Sequence, residues 1–162
     1  MDGSFYPVNP ESNNPAMKFK CSVIVHKPLE EVLAFFQNPD NLPLWQDGFV
    51  SCTPISGEPG QPGSKALFVY QQGNTRIELE ETIEVNNLPG EFTADYVHKH
   101  MSNKMTNHFE SLPGGQTLYE AYVDYYKLNG WMIKLMVKLF PGMFQKQTQK
   151  WLDQFKRAAE SA

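Results

Sequence analysis

The chain has 162 residues, 41% hydrophobic and 20% charged, which is the composition of a folded globular protein and excludes a disordered or low-complexity one. Its net charge of -4 lacks the positive field that a phosphate backbone requires, so nucleic acid is not an expected partner. No run reaches the roughly 18 apolar residues that span a bilayer, and Met1-Asp2-Gly3-Ser4 lacks the basic region and apolar core of a secretion signal; a cytoplasmic chain with no stable membrane insertion is the default expectation.

Residues 1–16 are rich in Asn, Ser and Pro and carry no period, so they are expected to form an N-terminal arm preceding one domain over 17–162. Phe5, Tyr6 and Val8 are its apolar groups, expected to anchor it on this subunit or a neighbour. From Lys18 the pattern alternates strictly, with Phe19, Cys21, Val23 and Val25 on one side and Lys18, Lys20 and Ser22 on the other, which predicts a half-buried strand. Pro28 then stands where a first helical turn starts. Leu29, Val32, Leu33 and Phe36 follow at helical spacing and end at Asn38-Pro39, giving about two turns. The proline-broken stretch Pro39 to Trp45 predicts one more helical turn that delivers Trp45 to the core.

From Phe49 to Leu128 the signals are strand and turn: Phe49 to Ile55, Lys65 to Gln72, Thr75 to Asn87, Glu91 to His100, Lys104 to Ser111 and Gln116 to Leu128. Their connections are hairpin-like, at Gly73-Asn74, Leu88-Pro89-Gly90, a polar turn near Ser102-Asn103, and Pro113-Gly114-Gly115, with one longer loop from Gly57 to Gly63. Short connections make sequential strands antiparallel neighbours. Cys21 and Cys52 fall inside strands without a disulfide or metal spacing and read as ordinary buried thiols.

After Gly130 the period becomes helical. Trp131 to Phe140 is apolar nearly all round, interrupted by Lys134 and Lys138, and Pro141-Gly142 is expected to break it from a long amphipathic helix. On that helix Phe144, Thr148, Trp151, Leu152, Phe155 and Ala159 share one face.

Strand, two short helices, six strands, long helix: this order resembles the SRPBCC or START-like superfamily of polyketide cyclase/dehydrase and lipid-transport proteins. The phrases that carry the resemblance are Lys27-Pro28-Leu29-Glu30-Glu31-Val32 after the first strand, Asn38-Pro39-Asp40-Asn41 leading to Trp45, and the tail Trp151-Leu152-Asp153-Gln154-Phe155-Lys156-Arg157-Ala158-Ala159-Glu160. Pro62-Gly63-Ser64, Leu88-Pro89-Gly90 and Pro113-Gly114-Gly115-Gln116-Thr117 stand at its turn positions, while His26-Lys27 departs from the small or acidic residue the superfamily often has before the proline. The resemblance implies an α+β helix-grip fold, a curved antiparallel sheet of about seven strands with two short helices after the first strand and a long C-terminal helix over a cavity. It does not imply a reaction.

Within that frame Glu81 is conspicuous. Ile77, Leu79, Ile83 and Val85 share one face of their strand, Arg76, Glu78, Glu80, Thr82 and Glu84 share the other, and period two puts Glu81 among the apolar set. Burial there would raise its pKa toward general-acid range. Alternatively, a bulge turns it to solvent or a Lys or Tyr partners it. On the next strand Tyr96, His98 and His100 fall on the face of Phe92 and Ala94, with Asn107 and His108 one strand over. Tyr96 and His98 are either hydrogen-bonding or acid/base groups or, for the histidines, solvated rim residues. His98, His100 and His108 match no known metal spacing, so no metal is expected.

Glu81 and His98 are therefore the candidate catalytic residues. Trp45, Tyr96, His98, Asn107, Tyr119 and Tyr125 are candidate ligand contacts from the two short helices and the sheet. Trp131, Leu135, Met136, Leu139 and Met143 are candidates from the helical region, as an adjustable wall. No Gly-rich phosphate loop, GxSxG or HExxH motif occurs and no cofactor is expected. The expected function is binding or carriage of a hydrophobic small molecule, lipid, polyketide or isoprenoid-like. A cyclase/dehydratase-type enzyme using the same groups is the alternative. A membrane-surface or protein-interaction role for Trp131 to Phe144 is a third reading, and a homodimer through the arm or residues 131–144 is a further possible partner.

Overall fold

In a computed structural model of the chain, residues 17–162 are described; the expected N-terminal arm lies outside them. The order of elements is β1 (Met17–Val25), α1 (Leu29–Gln37), a 3-10 turn at Pro39–Asn41, α2 (Leu42–Trp45), β2 (Phe49–Ser56), β3 (Lys65–Gln72), β4 (Thr75–Asn87), β5 (Glu91–Val97), β6 (Met101–Leu112), β7 (Gln116–Leu128), α3 (Trp131–Leu139) and α4 (Met143–Ser161). The strands form one antiparallel sheet in the order β1-β7-β6-β5-β4-β3-β2. Strands β2 to β7 are sequential hairpins, as their short connections dictate. β1 pairs with the last strand instead, so α1 and α2 carry the chain from one edge of the sheet to the other.

One turn falls elsewhere than expected. The polar residues Ser102 and Asn103 lie inside β6, and the connection from β5 is made by residues 98–100, closed by the His98 amide on the Met101 carbonyl at 2.9 Å. Val97 pairs directly with Ser102, whose side chain is buried, and on its other side β6 shifts register against β7 between Ser102 and Asn103. The alternation of Phe92, Ala94 and Tyr96 therefore does not run on to His98 and His100.

The core lies between α4 and the β1–β7 half of the sheet. Register sets Phe19, Cys21 and Val23 of β1 beside Val123, Ala121 and Tyr119 of β7. Spacing of three and four along α4 puts Thr148, Leu152, Phe155 and Ala159 in one buried stripe above them. Phe155 is the hub, with edge contacts to Phe35 of α1 at 5.3 Å, Trp45 of α2 at 5.3 Å and Tyr119 at 5.1 Å.

A second, polar stripe of α4 runs along the free edge of β1. Gln145 donates to the Lys20 carbonyl at 3.3 Å, Gln149 donates to the Ser22 carbonyl at 3.0 Å and accepts from its amide at 3.3 Å, Lys156 donates to the Ile24 carbonyl at 2.6 Å, and Glu160 accepts the His26 amide at 2.7 Å. The rise of a helix from 145 to 160 is about 22 Å, and that of a strand from 20 to 26 is about 20 Å. The two ladders therefore stay in step. Pro141-Gly142 separates α3 from α4 as expected, with the Lys146 amide reaching back to the Gly142 carbonyl to start α4.

Candidate functional site

The inward row of β4 reads Ile77, Leu79, Glu81, Ile83, and register places Glu81 between Ala66 of β3 and Tyr96 of β5. A bulge does occur on this strand, but between Ile83 and Val85, beyond the point where it would turn Glu81 outward. Glu81 is 9% exposed. Its carboxylate neighbours on the outer face each have a cation: Glu78 has Arg76 at 2.9 Å, Glu80 has Lys65 at 2.7 Å and Glu84 has Lys104 at 2.6 Å. Among the described residues Glu81 has none. It accepts a 2.7 Å hydrogen bond from the Tyr96 hydroxyl.

Burial pushes the Glu81 carboxyl above its ordinary pKa, and the Tyr96 bond pulls the other way without cancelling it. Burial, and then the carboxylate itself, push the Tyr96 phenol well up, so Tyr96 stays a neutral donor. Cys52 of β2 and Tyr70 of β3 belong to the same electrostatic neighbourhood. Burial followed by the charge of Glu81 lifts the Cys52 thiol to about 11, which keeps it protonated and unreactive. Tyr70 is raised by burial and by the same carboxylate. Its hydroxyl donates to Gln46 Oε1 at 2.6 Å, and its ring stacks on Trp151 of α4 at 5.8 Å. The Trp151 indole N–H is buried without a hydrogen-bond partner among the described residues. Chemically, the cluster offers a carboxyl inclined to hold its proton, a phenol donor and an unused indole donor, framed by aromatic rings; Phe68 meets the Tyr96 ring edge-on at 6.2 Å.

The remaining expected residues divide by position. Trp45 is a buried core side chain against Phe155. Tyr119 is fully buried and donates to Asn107 at 2.9 Å, while Asn107 donates to the Phe92 carbonyl at 3.3 Å. These two satisfy one another within the core. Tyr125 is half-buried beside Phe144 at 4.7 Å. His98 lies just past the end of β5, its ring 5.4 Å from that of His100, and partial burial followed by the charges of His100 and Lys99 lowers its pKa. His108 faces the outer side, where it pairs in register with Glu120 and its Nδ1 meets the Gly90 carbonyl at 2.8 Å. Met136 and Met143 are half-buried, but Trp131, Leu135 and Leu139 point to solvent, so the expected wall role does not match their exposed positions. Gln46 and Tyr70 escaped the sequence reading; the alternation of Phe68 and Tyr70 was the available signal.

Inward-facing residues around Glu81 keep some accessible surface: Leu79, Tyr96, Met105 and Trp151 are each half-buried. No family model matches the sequence, and no curated protein matches it significantly. Solved structures do match in shape. TTHA0849 from Thermus thermophilus is 12% identical, with 89% of this chain and 97% of that one covered at a TM-score of 0.72. The Zhui aromatase/cyclase from Streptomyces sp. R1128 is 9% identical, covering 90% and 94% at 0.70. Ara h 8.0201 is 11% identical, covering 91% and 99% at 0.69. Such low identity speaks for architecture alone, and the architecture is the α+β helix-grip fold, an antiparallel sheet with a long C-terminal helix packed on it.

Proposed function

We propose that the chain binds and carries a hydrophobic small molecule, lipid, polyketide or isoprenoid-like, between the concave sheet face and α4, with a polar end of the ligand held at Glu81 and Tyr96. The observation that carries this reading is the buried Glu81 carboxyl on the apolar inner face, which has a phenol but, among the described residues, no cation beside it, and is flanked by half-buried side chains. A binding site of this kind is apolar with a few convergent polar groups. A structural neighbour of the same fold is named an aromatase/cyclase, a protein that acts on a small organic molecule, which favours a small-molecule ligand by analogy. Native mass spectrometry and solvent extraction of the purified protein test it. An apolar molecule bound one per chain, and displaced in a Leu79→Trp variant, is the expected result; failure to retain any apolar ligand or fluorescent hydrophobic probe would remove the proposal.

A second reading, a cyclase- or dehydratase-type enzyme, draws on the same unpaired Glu81. A carboxyl inclined to hold its proton can act as general acid, with Tyr96 as hydrogen-bond donor to a carbonyl. Conversion distinguishes the two: an enzyme converts a poly-β-ketone substrate and loses that conversion, but not binding, in Glu81→Gln, whereas a carrier binds without converting even as the parent.

A further inference from the structure

Helix α3 has no buried residue. Ile133, Met136 and Val137 are half-buried on one side, while Trp131 at 75%, Met132 at 68%, Leu135 at 46% and Leu139 at 61% are exposed on the other. At 3.6 residues per turn these four exposed apolar groups fall in one arc of about 100°. Lys134 and Lys138, one turn apart, border that arc along one side. Phe140, 60% exposed, extends it into an open groove of about 600 Å³ where Pro141, Met143, Lys146 and Lys150 adjoin the end of α3.

Charge is segregated along the same stretch. From Lys127 to Lys150 there are five lysines and no acidic residue, which leaves a net charge of -9 on the rest of the chain. Lys150 is tied to Asp47 at 2.6 Å; Lys127, Lys134, Lys138 and Lys146 have no acidic partner among the described residues. A second copy of this chain is a poor occupant for the surface, because a two-fold contact would set like patches of lysine against each other with no carboxylate between them. A surface of anionic headgroups over acyl chains matches both features at once.

We infer that α3 and Phe140 dock on the headgroup layer of a bilayer containing anionic lipid, with Trp131, Leu135 and Leu139 at the acyl boundary and the lysines on the headgroups. Nine residues of helix are too short to cross, and no helix among the described residues is long and apolar enough to do so. The attachment is peripheral and reversible. It is independent of whether the interior carries a ligand.

The test is co-sedimentation of the full chain with phosphatidylcholine vesicles and with vesicles enriched in phosphatidylserine. Binding is expected to the anionic vesicles, lost in salt of about 1 M, where the screening length is only about 3 Å. Leu135→Ser with Leu139→Ser should reduce it to background. Lys134→Gln and Lys138→Gln should weaken it by about fivefold per lysine. All four positions lie on the outer side of α3, so unchanged thermal unfolding confirms that each variant is folded. No binding to anionic vesicles overturns the inference, as does equal binding by parent and α3 variants. A concentration-dependent dimer that Leu135→Ser with Leu139→Ser dissolves, without vesicle binding, overturns it in favour of self-association.

Discussion

The Tyr96 hydroxyl donates to the Glu81 carboxyl across the β4–β5 pair at 2.7 Å, and this bond opposes the burial that lifts the carboxyl's pKa. Tyr96→Phe removes the opposing influence. Glu81 should then titrate higher still, and the fold should lose about 1 kcal/mol from the missing bond. Carbon-13 titration of the Glu81 carboxyl in parent and variant reads the first effect; a lower midpoint in the variant would show that the phenol is not its stabilising donor.

Glu81 also makes stability depend on pH in a direction opposite to the usual carboxylate. Its folded pKa lies above its ordinary 4.5, so the folded chain holds this proton more tightly than the unfolded one. The corresponding stability is present below 4.5 and is lost as pH rises through the folded pKa. Glu81→Gln lacks this loss. Urea unfolding of both proteins between about pH 4 and pH 8 should therefore show the variant gaining on the parent as pH rises, and parallel profiles would count against an uncompensated carboxyl.

The two helical tryptophans give a matched pair for stability. Trp151 stacks on Tyr70 at the seam between α4 and the sheet, whereas Trp131 stands 75% exposed on α3. Trp151→Ala should cost about 3 kcal/mol, at the low end for a large aromatic because the ring is half-buried. Trp131→Ala should stay within about 0.5 kcal/mol. Thermal unfolding of the two variants beside the parent decides it; equal shifts would mean that α4 does not grip the sheet through this contact.

Backbone protection should differ across Pro141-Gly142. No residue of helix α3 is fully buried, while α4 buries Thr148, Leu152, Phe155 and Ala159. Amides of α3 are expected to exchange through local opening, and those from Thr148 to Phe155 close to the global unfolding rate. Uniform protection over both helices would contradict the separation of the two segments.

Much of the fold was legible because period two and turn chemistry act locally. The ends of β3, β4 and β7 and the inward side of Glu81 follow from alternation alone, and the bulge that threatened the latter falls past Ile83. The β5–β6 turn was misplaced because Ser102 and Asn103 look like turn residues, whereas a buried Ser102 inside a strand depends on its distant neighbours. For α3 the sequence leaves a cavity wall and an outer docking surface both open, because composition does not distinguish an apolar helix that is covered from one that is not. Gln46 could not be joined to Tyr70, nor Gln145 and Gln149 to β1, since nothing local records that a side chain meets a residue more than twenty or a hundred positions away.

The glutamine, lysine and glutamate ladder of α4 has a consequence for how this sheet meets other chains. An open seven-stranded sheet has two edges, and an exposed edge is a template on which a second molecule can add a strand. At β1 that template is already occupied, at the alternate residues Lys20, Ser22 and Ile24, by side chains from the protein's own C-terminal helix. At β2 the opposite edge is interrupted by register shifts and by Pro54, which has no amide hydrogen to offer. Growth of the sheet into a polymer is thereby obstructed at both ends, and fraying of α4 would expose a ready nucleus for β-aggregation before the rest of the molecule had unfolded.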